Sequence, residues 1–101
     1  MMHIKGYLIT LAMLLISMTM LGQEHFITGK VKSQEGVALP GATVRVASSQ
    51  IGTTTDIKGK YKIRLPEDHN VLIFSFVGYK NRRVEVNDKK TINITLEKKS
   101  K

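Results

Sequence analysis

The chain has 101 residues, two prolines and no cysteine, which is enough for one small domain and too little for two. Its 16 Lys and Arg against 8 Asp and Glu give a formal net charge of +8. That balance favours anionic partners or surfaces without identifying one. The lack of cysteine excludes a disulfide framework and a lipid anchor on a cysteine, so a small apolar core must supply the stability.

Residues 1–22 differ from the rest. Lys5 gives a positive start, and Leu8 to Met20 is an apolar run broken only by Thr10, Ser17 and Thr19. This is the pattern of a secretory signal peptide. Cleavage after Gly22 places a small residue at the last position, although Met20 is larger than the usual preference two places earlier. The competing reading is an uncleaved anchor, but Gly6 to Leu21 falls just below the roughly 17-residue minimum for spanning hydrocarbon. Removal of this segment takes away only Lys5 among the charged groups, so residues 23–97 form a basic exported domain, followed by a basic tail at 98–101. Absence of cysteine is compatible with export.

From Phe26 onward, short segments rich in Val, Ile, Thr, Phe and Tyr alternate with Gly, Pro, Asn and Asp, which predicts an all-β domain. Phe26 to Ser33 reads as a first strand, with Ile27, Gly29 and Val31 on one face and Thr28, Lys30 and Lys32 on the other. Pro40 biases Leu39 toward an extended backbone. Ala42 to Ser48 is the next strand, with Ala42, Val44 and Val46 facing inward. Ile51 to Thr55 reads as a short edge segment. At Asp56-Ile57-Lys58-Gly59 the carboxylate can accept backbone N–H bonds while the glycine takes a left-handed conformation.

Lys60 to Leu65 alternates cleanly, with Tyr61, Ile63 and Leu65 inward and Lys60, Lys62 and Arg64 toward water. Val71 to Phe76 is apolar at nearly every position, as expected of a strand covered on both faces. Gly78 allows a sharp turn, Tyr79 to Val86 reads as the next strand, and Thr91 to Glu97 places Ile92, Ile94 and Leu96 on the core face. The count is about seven strands, which favours a seven-stranded antiparallel β-sandwich. The stretch Phe74-Ser75-Phe76-Val77-Gly78-Tyr79-Lys80 reads as a corner closing one end of the core, with Phe74 and Phe76 on one strand face.

No constellation of residues points to catalysis. His3 lies in the leader, and His25 and His69 lack a second ligand at metal spacing, so no metal or cofactor is expected. No hydroxyl sits in a Gly-x-Ser-x-Gly elbow. Asp56, Glu67, Asp68 and Asp88 fall at turns, where capping the backbone is the common role, and Thr53, Thr54 and Thr55 read as edge-strand residues. The cations carry more information. Lys58, Lys60, Lys62 and Arg64 are spaced by two along one strand and its approach, and Lys80, Arg82 and Arg83 form a second cluster. The bland reading is a solvated face whose lysines discourage edge pairing. The functional reading is a patch for lipopolysaccharide, an envelope glycan or an acidic protein. Nucleic acid is disfavoured because no exposed aromatic residues are interleaved for base stacking.

Read in order, Thr28-Gly29-Lys30-Val31, Leu39-Pro40-Gly41-Ala42-Thr43-Val44, Gly52-Thr53-Thr54-Thr55-Asp56, Gly59-Lys60-Tyr61 and Phe74-Ser75-Phe76-Val77-Gly78-Tyr79 resemble the carboxypeptidase regulatory-like domain over about residues 26–97. The form is similar to that preceding the plug and barrel of TonB-dependent outer-membrane transporters in Bacteroidetes. The resemblance implies a transthyretin-like sandwich outside the cytoplasm, in the periplasm, at the outer membrane or secreted, and no enzymatic activity. The departure is that after Leu96 only a short basic tail follows. The function expected is therefore a non-catalytic exported module that mediates interaction with an envelope or outer-membrane protein or serves an outer-membrane transport system. The alternatives are a glycan- or lipopolysaccharide-binding module using a basic sheet face, and an orphaned N-terminal piece of a transporter.

Overall fold

The computed structural model describes residues 25–100, so the leader segment lies outside the described residues. Seven strands are present: β1 (His25–Ser33), β2 (Thr43–Val46), β3 (Gly52–Thr54), β4 (Lys60–Leu65), β5 (Val71–Ser75), β6 (Arg82–Glu85) and β7 (Ile94–Leu96). They form a three-stranded sheet in the order β4-β1-β7 and a four-stranded sheet in the order β3-β2-β5-β6. Alternate side chains from both sheets meet between them, which is the packing of a β-sandwich. Val31, Val44, Val46, Leu72, Phe74, Val86 and Leu96 are fully enclosed. The two layers are joined at their centre by Tyr61 of β4 and Phe74 of β5, whose rings meet edge to face at 5.5 Å.

The expected alternation holds in β1, β2 and β4: Ile27, Val31 and Ser33, Val44 and Val46, and Tyr61 and Ile63 are buried, with Gly29 and Leu65 half-buried on the same faces. Three details differ from the sequence expectation. First, β7 runs parallel to β1, with Val31 opposite Ile94 and Ser33 opposite Leu96, whereas the other ladders are antiparallel. The chain crosses from one layer to the other between β6 and β7, so no hairpin dictates their relative direction. Second, β5 is covered on one face only: Leu72 and Phe74 are buried, while Val71, Ile73 and Ser75 are half-buried on the outside of the four-stranded sheet.

Third, β6 starts at Arg82 and not at Tyr79. The Tyr79 N–H closes a turn onto the Phe76 carbonyl at 3.0 Å, and Gly78 supplies the positive φ of +85°. Tyr79 bridges Lys98 and the Lys80 N–H donates to the Glu97 carbonyl at 2.8 Å. Residues 79 and 80 thus fasten onto the chain leaving β7 before the strand joins β5. This corner is partly core: Phe74 is fully buried and Phe76 packs against Tyr79 at its rim, whereas Val77 is 92% exposed.

Candidate functional site

The polar groups in the interior serve the fold. Thr55 follows the edge strand β3 and is itself buried: its hydroxyl accepts the Ala42 N–H at 2.9 Å and donates to the Leu39 carbonyl. Its backbone exchanges bonds with Gly41 and Ala42. The Leu39-Pro40-Gly41-Ala42 approach is therefore pinned by one threonine, which a simple edge-strand role for Thr55 does not anticipate. Tyr61 donates its hydroxyl to the Ile92 carbonyl at 2.6 Å, and burial pushes its phenol well above the usual range. No buried side-chain nitrogen or oxygen is left without a partner among the described residues.

At the turn before β4, Asp56 Oδ1 accepts the N–H groups of Lys58 and Lys60, each at 2.9 Å, and Gly59 adopts φ +77°. The backbone bond from Lys60 is the main reason its carboxyl is held below its ordinary 3.8, aided by the nearby positive charges. Because the folded value is depressed, this contribution to stability is present above the unfolded value and disappears as pH falls through the lower, folded one. Thermal melts of the parent should therefore lose stability below about pH 4, and Asp56→Asn should lose less over the same interval. Equal pH dependence in the two proteins would remove this role from Asp56.

The structure separates the cations predicted as a patch. Lys60, Lys62 and Arg64 project from the outer face of β4, with Lys58 in the turn at its start. Register places Lys60 opposite Lys30, Lys62 opposite Thr28 and Arg64 opposite Phe26 on β1. Lys32 continues the same outer row beside Thr95 of β7. Lys30 and Lys32 thus join the face, although sequence reasoning left them out. Their parity on β1 was visible, but the neighbour of β1 was not.

Lys80, Arg82 and Arg83 do not form one cluster. Lys80 lies 3.9 Å from Glu97, and Arg82 Nη1 donates to the Thr95 carbonyl at 3.1 Å, so both close the seam between β6 and β7 beside an open groove of about 340 Å³. Arg83 lies opposite Ile73, on the outside of the four-stranded sheet. Adjacent strand residues point to opposite faces, which parts Arg83 from Arg82. His25 starts β1, and His69 sits in the loop after β4 with Nδ1 3.1 Å from the Glu67 carbonyl. Among the described residues no three His, Asp or Glu side chains gather.

A two-layered β-sandwich whose buried polar groups are spent on its own backbone, with a cationic outer sheet, is the class of domain these features define. The chain belongs to the carboxypeptidase regulatory-like family, whose model matches residues 27–101. It is 31% identical to the TonB-dependent receptor P39 of Formosa agariphila over 91% of this chain and 9% of the receptor, and 45% identical to receptor P26 of the same organism over 72% and 7%. It is also 28% identical to the TonB-dependent receptor SusC of Bacteroides thetaiotaomicron, over 81% of this chain and 8% of SusC. The chain thus spans less than a tenth of the length of these receptors. In three dimensions it is similar to a chain of the type II cohesin–X-dockerin complex from Acetivibrio cellulolyticus, with a TM-score of 0.58 at 16% identity, over 71% of this chain and 56% of that one. That likeness concerns the fold.

Proposed function

We propose that this chain is a non-catalytic, exported β-sandwich module that serves a TonB-dependent outer-membrane transport system through protein interaction. The observation that carries the reading is the match itself. Nearly all of the chain corresponds to a segment under a tenth of the length of such receptors, as a separable module does. The non-catalytic part rests on chemistry: the buried hydroxyls of Thr55 and Tyr61 are bonded to backbone groups and are not available to a substrate.

The test is affinity purification of the tagged chain from solubilised envelopes of its native host, at low and high salt. A TonB-dependent receptor should co-purify at both salts. Recovery of the chain from cytoplasm, or from the envelope with no receptor, would overturn the reading. The sequence has a mass of 11.3 kDa. A native immunoblot band more than tenfold larger, as the relatives' lengths would require, would instead make it the front piece of a receptor.

A further inference from the structure

We propose that the outer face of the β4-β1-β7 sheet docks on a bilayer surface rich in anionic phospholipid. This inference goes beyond the proposed receptor association and does not depend on it. None of the strands of this sheet carries an Asp or Glu, while Lys30, Lys32, Lys60, Lys62 and Arg64 all stand exposed on the one face. Of the acids that flank these strands, Asp56 in the turn before β4 is turned to the backbone of Lys58 and Lys60, Glu67 lies in the loop after β4, and Glu35 and Glu97 lie beyond the ends of β1 and β7. The ion pairs among the described residues, Lys80 with Glu97 and Lys98 with Glu35, involve none of these cations.

Protection of an exposed edge accounts for cations on β4, which ends its sheet, but not for those on β1, which has neighbours on both sides. Lys30 and Lys60 lie directly opposite in register, an arrangement of like charges that weakens strand pairing. The fold therefore gains nothing from this pair, whereas an anionic surface would. A bilayer fits better than a small ligand or a folded acidic segment for three reasons. The cations form a planar array, with lateral spacing of about 5 Å and about 7 Å along each strand, and not a concave site of the kind that encloses a ligand. Most are lysines, which act as point charges toward phosphate and do not impose bidentate geometry. Phe26, 43% exposed, lies at the margin of the array with Lys62 Nζ 4.7 Å from its ring centre, where an amphipathic interface suits an aromatic side chain.

The experiment is co-sedimentation of residues 23–101, which contain all the core residues from Ile27 to Leu96, with phosphatidylcholine vesicles and with vesicles that also contain phosphatidylglycerol. Binding should require the anionic lipid and weaken with salt. The double reversal K60E/K62E should lower partitioning at least about twentyfold. R45E/R83E, the same charge change at the two exposed residues that flank Ile73 on the outside of the other sheet, should keep it within about threefold. K60E places a carboxylate opposite Lys30, so folding is preserved and the melting midpoint should not fall. Equal loss in the two double variants, or no preference for anionic vesicles, would overturn the proposal. So would displacement of the chain from vesicles by polyglutamate or an anionic polysaccharide at matched charge concentration, which would reassign the face to a soluble polyanion.

Discussion

Gly29→Ala is expected to remove a large share of the protein's stability. Gly29 lies in β1 directly beneath the Ile92 carbonyl, and a Cβ placed there would stand 1.8 Å from that oxygen and 2.8 Å from the Tyr61 hydroxyl. Neither obstacle is the loose end of a flexible side chain. The carbonyl belongs to the backbone leading into β7, and the hydroxyl is held to the same oxygen at 2.6 Å. Relief of the clash must push that segment away from β1, breaking the Tyr61 bond and straining the bond from the Ile92 N–H to the Thr28 carbonyl. The expected cost is about 3–5 kcal/mol, against a total of about 4–10 kcal/mol for a domain of this size. Gly36→Ala is the control: φ is +85° there, but nothing lies within 4 Å of the added atom, so only the backbone penalty of about 1 kcal/mol remains. Urea unfolding of the two variants side by side measures the difference. Equal midpoints would show that close approach at Gly29 is not what the fold requires.

Phe74→Ala is the second large effect. The ring is wholly enclosed and joins β5 of one sheet to β4 of the other through its edge-to-face contact with Tyr61. Truncation leaves a cavity between layers that strands on either side cannot collapse without losing register, at a cost of about 3–5 kcal/mol. Phe74→Leu keeps most of the volume and should cost about 1.5 kcal/mol or less. Val77→Ala, three residues along in the same aromatic corner, removes a side chain that is 92% exposed and should fall within about 0.5 kcal/mol of the parent. Thermal melts of these variants separate the two parts of the corner. A Phe74→Ala midpoint near that of Val77→Ala would mean that the layers are not held through this ring.

Gly29, Thr55 and Phe74 show why the family motifs have the form they do. The glycine of Thr28-Gly29-Lys30-Val31 is there for the Ile92 carbonyl, and the threonine of Thr54-Thr55-Asp56 for the Leu39 and Ala42 backbone. Both partners are distant along the chain, so the sequence displays the residue and conceals its purpose. The phenylalanine of Phe74-Ser75-Phe76 is different. Its alternation with Leu72 on an apolar strand announces a core position without knowledge of its neighbour.

By itself, then, the sequence determined the number of strands, the inward faces of β1, β2 and β4 and the turns, but not the open outer face of β5 or the start of β6. A period of two records which side of a strand avoids water, and Asp56, Gly59 and Gly78 carry their turn chemistry within a few residues. Tertiary structure alone decided which strands are neighbours. The parallel pairing of β7 with β1, the addition of Lys30 and Lys32 to the cationic face and the parting of Arg82 from Arg83 between seam and sheet all follow from that choice. The physical reason is that side-chain parity is a local property of each strand, whereas sheet order results from the sum of contacts across the core, to which every strand contributes and which no single segment encodes.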